Sequence, residues 1–271
     1  MRSKEANSIS IGIMIKKIIH RVRLILLSKP LPLPIRGLLR KAYWKLNPCF
    51  REANVVDLVL VEITNKRDFR FVQIGANDGI HADHLAPFLS RNDFIGWMIE
   101  PNPLAYRQLE INRGDDSRFR IHKVGISDSP GILSLYFHDD DLGMASFDLS
   151  HVRKHLPPHQ HPEIVSTTVP LVTFSEFVGQ QSIHRLNLLL IDTEGYDGKI
   201  LKSIDFSETE VDVIIFEQCH LDPKDRDETF EHLRSSGYIL AYCKEDVVAI
   251  QRSLMLQLEA KTRSEINHFM I

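Results

Sequence analysis

Two stretches of this 271-residue chain put ligand-holding or proton-accepting groups where an apolar run stops. In "RFVQIGANDGIH" the run breaks at Gly75, and Gly79 follows with Asn77 and Asp78 between them. Glycine lets the backbone approach a ligand closely, and a helix that starts beyond such a turn offers free N–H groups. In "RLNLLLIDTEGYDGKIL" the run stops at Asp192, Glu194 stands two residues on, and Gly195 permits a turn. A carboxylate at a strand end can fix a substrate or take a proton from an alcohol, a step that general-base catalysis values at about 10² to 10⁴ in rate. Asp192 is the first candidate for that role and Glu194 the second. Glu194 reads equally as a cap on the next helix, and Asp192 as a group that only orders the turn. A third run, "IIFEQCHL", brings Glu217 and His220 to the same rim, and His220 is a further candidate base.

The glycine turn limits the ligand. A dinucleotide fingerprint reads G-x-G-x-x-G, whereas here three residues separate Gly75 from Gly79 and no third glycine follows. No G-x-x-x-x-G-K-[ST] occurs, so a triphosphate cradle is unsupported. The run "FIGWMIE" ends in Glu100, about twenty residues past the turn, where a doubly wound fold places the acid that accepts hydrogen bonds from two ribose hydroxyls. A ribose acceptor without a pyrophosphate site points to S-adenosylmethionine.

These residues need a scaffold that ends several strands at one rim. From residue 69 onward, strand and helix patterns alternate, the signature of an α/β fold with a mostly parallel sheet. Strands are expected near 70–74, 94–99, 119–124, 186–191 and 211–216, with helices near 82–90, 103–112, 173–180, 197–204 and 223–235. "GYILAYCKEDVVAIQ" closes the chain's body as an antiparallel hairpin at the sheet edge. Residues 126–172 form a long insertion with one short strand, "GILSLYF", and are expected to act as a mobile substrate lid.

"FVQIGANDG", "IEPNP" and "LLLIDTEGYDGKIL" together resemble the FkbM family of S-adenosylmethionine-dependent methyltransferases, over roughly residues 69–220. The resemblance implies a Rossmann-like class I fold, a mostly parallel seven-stranded sheet with an antiparallel edge strand. It places Gly75, Asn77 and Gly79 at the methionine end of the cofactor and Glu100 on its ribose. Asn102 would border the same pocket and Gly125 would lie near the adenine. Where many members carry an aspartate two residues before the first glycine this chain has Gln73, which leaves the cofactor's ammonium to Asp78 or to a backbone carbonyl. "GMASF" resembles the family's stretch beside the acceptor pocket and makes Ser146 a substrate-contact candidate. The implied reaction is O-methylation of a sugar, glycolipid or secondary metabolite, and the alternative is a non-catalytic scaffold on the same fold.

Five of the thirteen histidines, His138, His151, His155, His159 and His161, fall within the insertion. Their spacing matches no zinc-binding signature, and the prolines of "LPPHQHPE" oppose a helix that would align His155 with His159, so no metal is expected. Cys49, Cys219 and Cys243 form no CxxC and cannot all pair internally, which fits a reducing cytoplasm.

Charge divides the chain into an N-terminal extension, residues 1–53, and a methyltransferase body, 54–271. The extension holds 12 Lys and Arg against 2 acids (+10), and the remaining 21 against 34 leave the body at −13. An acidic body disfavours long nucleic-acid contacts. Residues 9–27 carry Ile11, Met14, Ile15, Ile18, Val22 and Ile25 on one helical face, with Lys16, Lys17, His20 and Arg23 largely opposite. No uninterrupted apolar run is long enough to span a bilayer. Such a helix either docks on protein or lies on the inner face of an anionic membrane. The sequence leaves the oligomeric state open.

Overall fold

The computed structural model describes residues 54–65, 67–81, 84–89, 93–138, 141–243, 245–258 and 260–271. The extension and its basic helix over 9–27 lie outside the described residues. The chain divides into two units, one of residues 1–51 and 85–91, the other of residues 52–84 and 92–271. In the first, the described residues form a 3-10 turn, Ala86–Phe88. The helix expected over 82–90 is therefore not formed by its described residues. Pro87 lacks the N–H that a longer helix would use.

The second unit begins with α1 (Asn54–Ile63), whose Val55, Val56, Val59, Leu60 and Ile63 are all buried at helical spacing. It continues through β1 (Phe69–Ile74), β2 (Phe94–Ile99), α2 (Pro103–Arg113), β3 (Phe119–His122), β4 (Gly125–Ser127), β5 (Gly131–His138), β6 (Asp141–Ser146), α3 (Leu149–His155) and β7 (Ile164–Thr173). Then come α4 (Phe174–Gln180), β8 (Arg185–Ile191), α5 (Asp197–Ser203), β9 (Glu210–Glu217), α6 (Pro223–Ser235), β10 (Tyr238–Cys243), β11 (Asp246–Gln251), α7 (Arg252–Gln257) and α8 (Ala260–Asn267). None of the described helices is long and apolar enough to cross a membrane.

Seven strands form one sheet in the order β10-β11-β9-β8-β1-β2-β3. β1 pairs in parallel with β2 on one side and with β8 on the other, so the strand order reverses between β1 and β8. A crevice opens beyond the carboxyl ends of strands at such a reversal. β11 runs antiparallel to both β9 and β10. The antiparallel strand is thus second from the edge rather than at it, because the 243–246 turn folds the last strand back into the gap beside β9. The central strands are buried on both faces, with Phe71, Val72, Leu188, Leu189, Val213 and Ile214 at 0% exposure, which is why each reads as a continuous apolar run.

The insertion differs from expectation. Residues 125–173 form a second, four-stranded sheet in the order β4-β7-β5-β6, with α3 between β6 and β7. β5 and β7 pair antiparallel from Gly131↔Leu171 to His138↔Ile164. Leu135, Phe137, Val169 and Leu171 give this sheet a small core of its own. It is a folded layer beside the cleft with more strands than the one expected.

Candidate active site

A cleft of about 620 Å³, open to solvent, lies at the strand reversal and is lined by Gly75, Asn77, Glu100, Gly125, Ser146, Asp192 and Glu194 among others. β1, β2 and β8 each end at it, and the second sheet supplies Gly125 and Ser146.

The glycine turn and the Asp-Thr-Glu-Gly turn are built against each other. Gly75 sits at φ 80°, and a Cβ there would lie 1.8 Å from the Asp192 carbonyl oxygen. The Asp192 N–H in turn donates to the Ile74 carbonyl at 2.9 Å. Only glycine allows β1 and β8 to end this close together.

Glu100 is gripped from both sides. The Asn77 N–H donates to its Oε2 and the Asn102 N–H to its Oε1, each at 2.8 Å. The carboxylate is fixed in orientation, and each oxygen keeps a second lone pair for a ligand hydroxyl. Burial pushes its pKa up to about 7, against the two N–H bonds that lower it. Asn77, at φ 48°, has a buried Oδ1 that makes no hydrogen bond among the described residues.

Asn102, Asp78 and Gly79 stand behind this first layer. Asn102 is fully buried and caps α2, its side chain accepting the Leu104 N–H at 3.0 Å, with Pro103 opening the helix. The Pro-Asn-Pro motif is thus the joint that turns β2 into α2. The Asp78 carboxylate accepts the N–H groups of Ile80 and His81 and pairs with the His81 ring, which holds it in place on its own turn. Arg113 donates from Nε and Nη2 to the Gly79 carbonyl, which locks α2 onto the turn. Gln73 is buried within β1. Gly125 does line the cleft, and a Cβ there would meet Leu171 at 2.5 Å.

Carboxylates concentrate at the other wall. Asp192 opens to the cleft but is surrounded by acids, and its pKa is pushed up to about 8 by burial first and then by Asp197, Glu217, Glu194 and Asp246. Water in the open cleft screens part of that shift. Asp197, fully buried, ties the turn together: its Oδ2 accepts from the Thr193 hydroxyl at 2.6 Å and the Thr193 N–H at 3.2 Å, and its Oδ1 accepts the Glu217 N–H at 3.3 Å. The sequence reading passed over Asp197, whose signal was an acid in the first turn of a helix. Glu217 is raised to about 7, mainly by burial.

Glu194, at φ 52°, links this wall to a group of histidines. Its Oε2 lies 3.2 Å from His151 Nε2 and 3.4 Å from His220 Nε2. His220 Nε2 is also 3.4 Å from Glu217 Oε2. The His151 pKa falls to about 4 through burial and the like charges of His220 and His155, and that of His220 is lowered mainly by burial. The environment thus opposes protonation of both rings. The Ser146 hydroxyl donates to the Glu194 carbonyl at 3.2 Å, fixing the turn from the second sheet.

A parallel sheet that reverses at β1/β8, an antiparallel strand next to its edge, and a glycine turn facing a strand-end acid together define the class I methyltransferase fold. The chain belongs to the FkbM methyltransferase family: the model of the methyltransferase FkbM domain matches residues 73–242, well over half of it. No curated protein matches the chain. Among solved structures, the FkbM methyltransferase of Methylobacillus flagellatus KT is similar at 15% identity and a TM-score of 0.44, over 68% of this chain and 44% of that one. The chain thus spans less than half the length of that protein. The precorrin-6y C5,15-methyltransferase of Geobacter metallireducens GS-15 is similar at 12% identity and a TM-score of 0.40, over 72% of this chain and 87% of that one. Fibrillarin of Aeropyrum pernix, with natively bound S-adenosyl-L-methionine, is similar at 10% identity and a TM-score of 0.39, over 68% and 67%.

Proposed function

We propose that the protein transfers a methyl group from S-adenosylmethionine to a hydroxyl oxygen of a sugar, glycolipid or secondary metabolite. The observation that carries the reading is the Glu100 carboxylate, held by the Asn77 and Asn102 N–H groups at a cleft that Asp192 and Glu194 also line. The residues present fit an adenosyl ligand. Glu100 offers two oriented acceptors, and the Asn77 side-chain Oδ1 is buried with no hydrogen bond among the described residues. Bound there, the cofactor would supply a methyl group on a positively charged sulfur.

The chain's own residues do the rest. Glu100 orients by hydrogen bonding, and the acids around Asp192 give the cleft a negative potential that favours a cationic ligand. An alcohol acceptor must lose its proton, and Asp192 and Glu194, which line the cleft, are the first candidates to take it, with His220 next to Glu194 the third. Positioning in a cleft closed on one side by the second sheet supplies the remaining acceleration. Calorimetry with S-adenosylmethionine and S-adenosylhomocysteine, followed by labelled-methyl incorporation into hydroxylated acceptors, tests the proposal. Failure to bind either ligand, or transfer only to nitrogen or carbon acceptors, would overturn it.

A further inference from the structure

The sequence separates His151 and His155 from His220, and the fold brings them together. α3 carries His151 and His155 at i and i+4, the spacing that puts two imidazoles on one helical face, as in helix-borne zinc sites. α3 ends at His155, just before the prolines, so the aligned pair is 151/155 and not 155/159. His220 follows the end of β9. The three rings are mutually packed, with centroids 4.4 Å apart for His151 and His155, 4.6 Å for His151 and His220, and 5.0 Å for His155 and His220. One ligand nitrogen from each lies within 4.8 Å of the others.

We propose that His151, His155 and His220 bind a divalent ion of the zinc type at the rim of the cleft, leaving a fourth position for the acceptor hydroxyl. Four-coordinate zinc with Zn–N distances of about 2.0–2.1 Å holds its ligands roughly 3.4 Å apart, so small ring rotations close the set. His155 is prepared for this role. Its Nδ1 lies 3.0 Å from the His151 carbonyl oxygen, which can only accept, so Nδ1 carries the proton and Nε2 the free lone pair. Packing three rings this closely disfavours their cationic forms, and ligation needs the neutral one. Glu194, beside two of the rings and lining the cleft, is the anion that offsets the ion's charge. Three imidazoles suit zinc-type ions, whereas an oxygen-only set would suit magnesium.

An overlapping set of Glu217, Cys219 and His220 shares His220 with this one, so the two cannot be filled together. Two other histidines of the insertion are spent elsewhere. His138 pairs with Glu163 at 2.8 Å, and His161 Nε2 lies near the carbonyls of Arg153 and Leu156. Three nitrogen ligands and an open position form an arrangement that acidifies a bound oxygen. That role rests on the hydroxyl-acceptor reading above, whereas occupancy of the site does not.

The test is titration of the untagged full chain with Co²⁺, read by visible absorption, with competition by Zn²⁺. One equivalent is expected to give the intense bands of four-coordinate cobalt, and Zn²⁺ to abolish them. Loss of even an outer partner costs about 10–100-fold in metal affinity, so His151→Gln, His155→Gln and His220→Gln should each weaken binding at least about tenfold. His159→Gln should leave it unchanged. S-adenosylmethionine affinity measured on the same His155→Gln protein should persist, which separates failure of this site from failure of the methyltransferase reading. Weak six-coordinate spectra, or binding indifferent to all three substitutions, would overturn the proposal and leave the histidines as a hydrogen-bonding group around Glu194.

Discussion

Glu100→Gln tests the adenosyl site through two independent readouts, because the same carboxylate both titrates and binds. Glu100 is 6% exposed, and its pKa of about 7 compares with an ordinary value of 4.5. Between those two pH values the folded protein keeps a proton that the unfolded chain has released. The sign follows: the stability tied to this group is fully present below pH 4.5, falls as pH rises to 7, and is then constant. Two and a half units at 1.36 kcal/mol each make the loss about 3 kcal/mol. Glutamine does not titrate, so the variant lacks this slope. Its amide also sets an NH2 group against the N–H of Asn77 or Asn102, a mismatch costing about 1–3 kcal/mol at every pH. Urea unfolding of both proteins from pH 5 to 8.5 should therefore show the variant clearly less stable at pH 5, with the gap closed or reversed at pH 8. Asp192 and Glu217 contribute slopes of their own, but these cancel in the difference. In binding, the ionised carboxylate is the acceptor for two hydroxyls. S-adenosylmethionine affinity of the natural protein should fall by up to about tenfold per pH unit below 7, while the variant binds weakly and without that dependence. Parallel stability profiles together with a pH-independent natural affinity would refute the argument.

The other substitutions address neighbouring parts of the cleft. Asp192→Asn should preserve cofactor affinity while lowering turnover by about 10² or more, and should abolish an acid limb that in the natural enzyme rises toward pH 8; normal turnover with the limb intact would move the base to His220. Gly75→Ala drives a Cβ into the Asp192 carbonyl from a left-handed backbone, so a loss of at least about 2 kcal/mol in thermal or urea unfolding is expected, together with loss of cofactor binding. Residues 9–27 are proposed to attach the chain to anionic membranes, and the full chain should float with acidic liposomes at low salt and detach as salt rises. Absence from the liposome fraction at low salt would make that segment a docking helix.

The main sheet was legible because its strands are buried on both faces: "FRFVQI", "FIGWMI", "RLNLLLI" and "EVDVIIFE" read as apolar runs and match β1, β2, β8 and β9 within a residue or two at each end. The second sheet was not. Only its β5, the "GILSLYF" strand, was read, whereas β7 contains Ser166, Thr167, Thr168 and Pro170, a composition that reads as loop. Pro170 is tolerated because β4 pairs only with residues 171–173, so that flank of β7 is uncovered at the proline. The helix expected over 82–90 failed for the opposite reason. Its apolar spacing was adequate, but Pro87 removes a donor that a longer helix would use.

Site residues divided along the same line between local and non-local information. Glu100 and Asp192 announce themselves because each terminates an apolar run, and a strand end in a doubly wound sheet is a position with a meaning. What sequence could not convey is how near the acids stand to one another. Asp192, Asp197, Glu217 and Asp246 come from the end of β8, the start of α5, the end of β9 and the start of β11, and only the strand order places them together. That proximity costs free energy in proportion to the raised pKa values, and a fold built for stability alone would disperse them. A cation recovers part of that cost, since each positive charge brought to the wall favours the ionised form of the acids already there. A positively charged methyl donor in the cleft and a divalent ion among His151, His155 and His220 would both do so. The acids at the β8 and β9 ends and the histidines of α3 are thus parts of one electrostatic arrangement, with Glu194 as the residue shared between them.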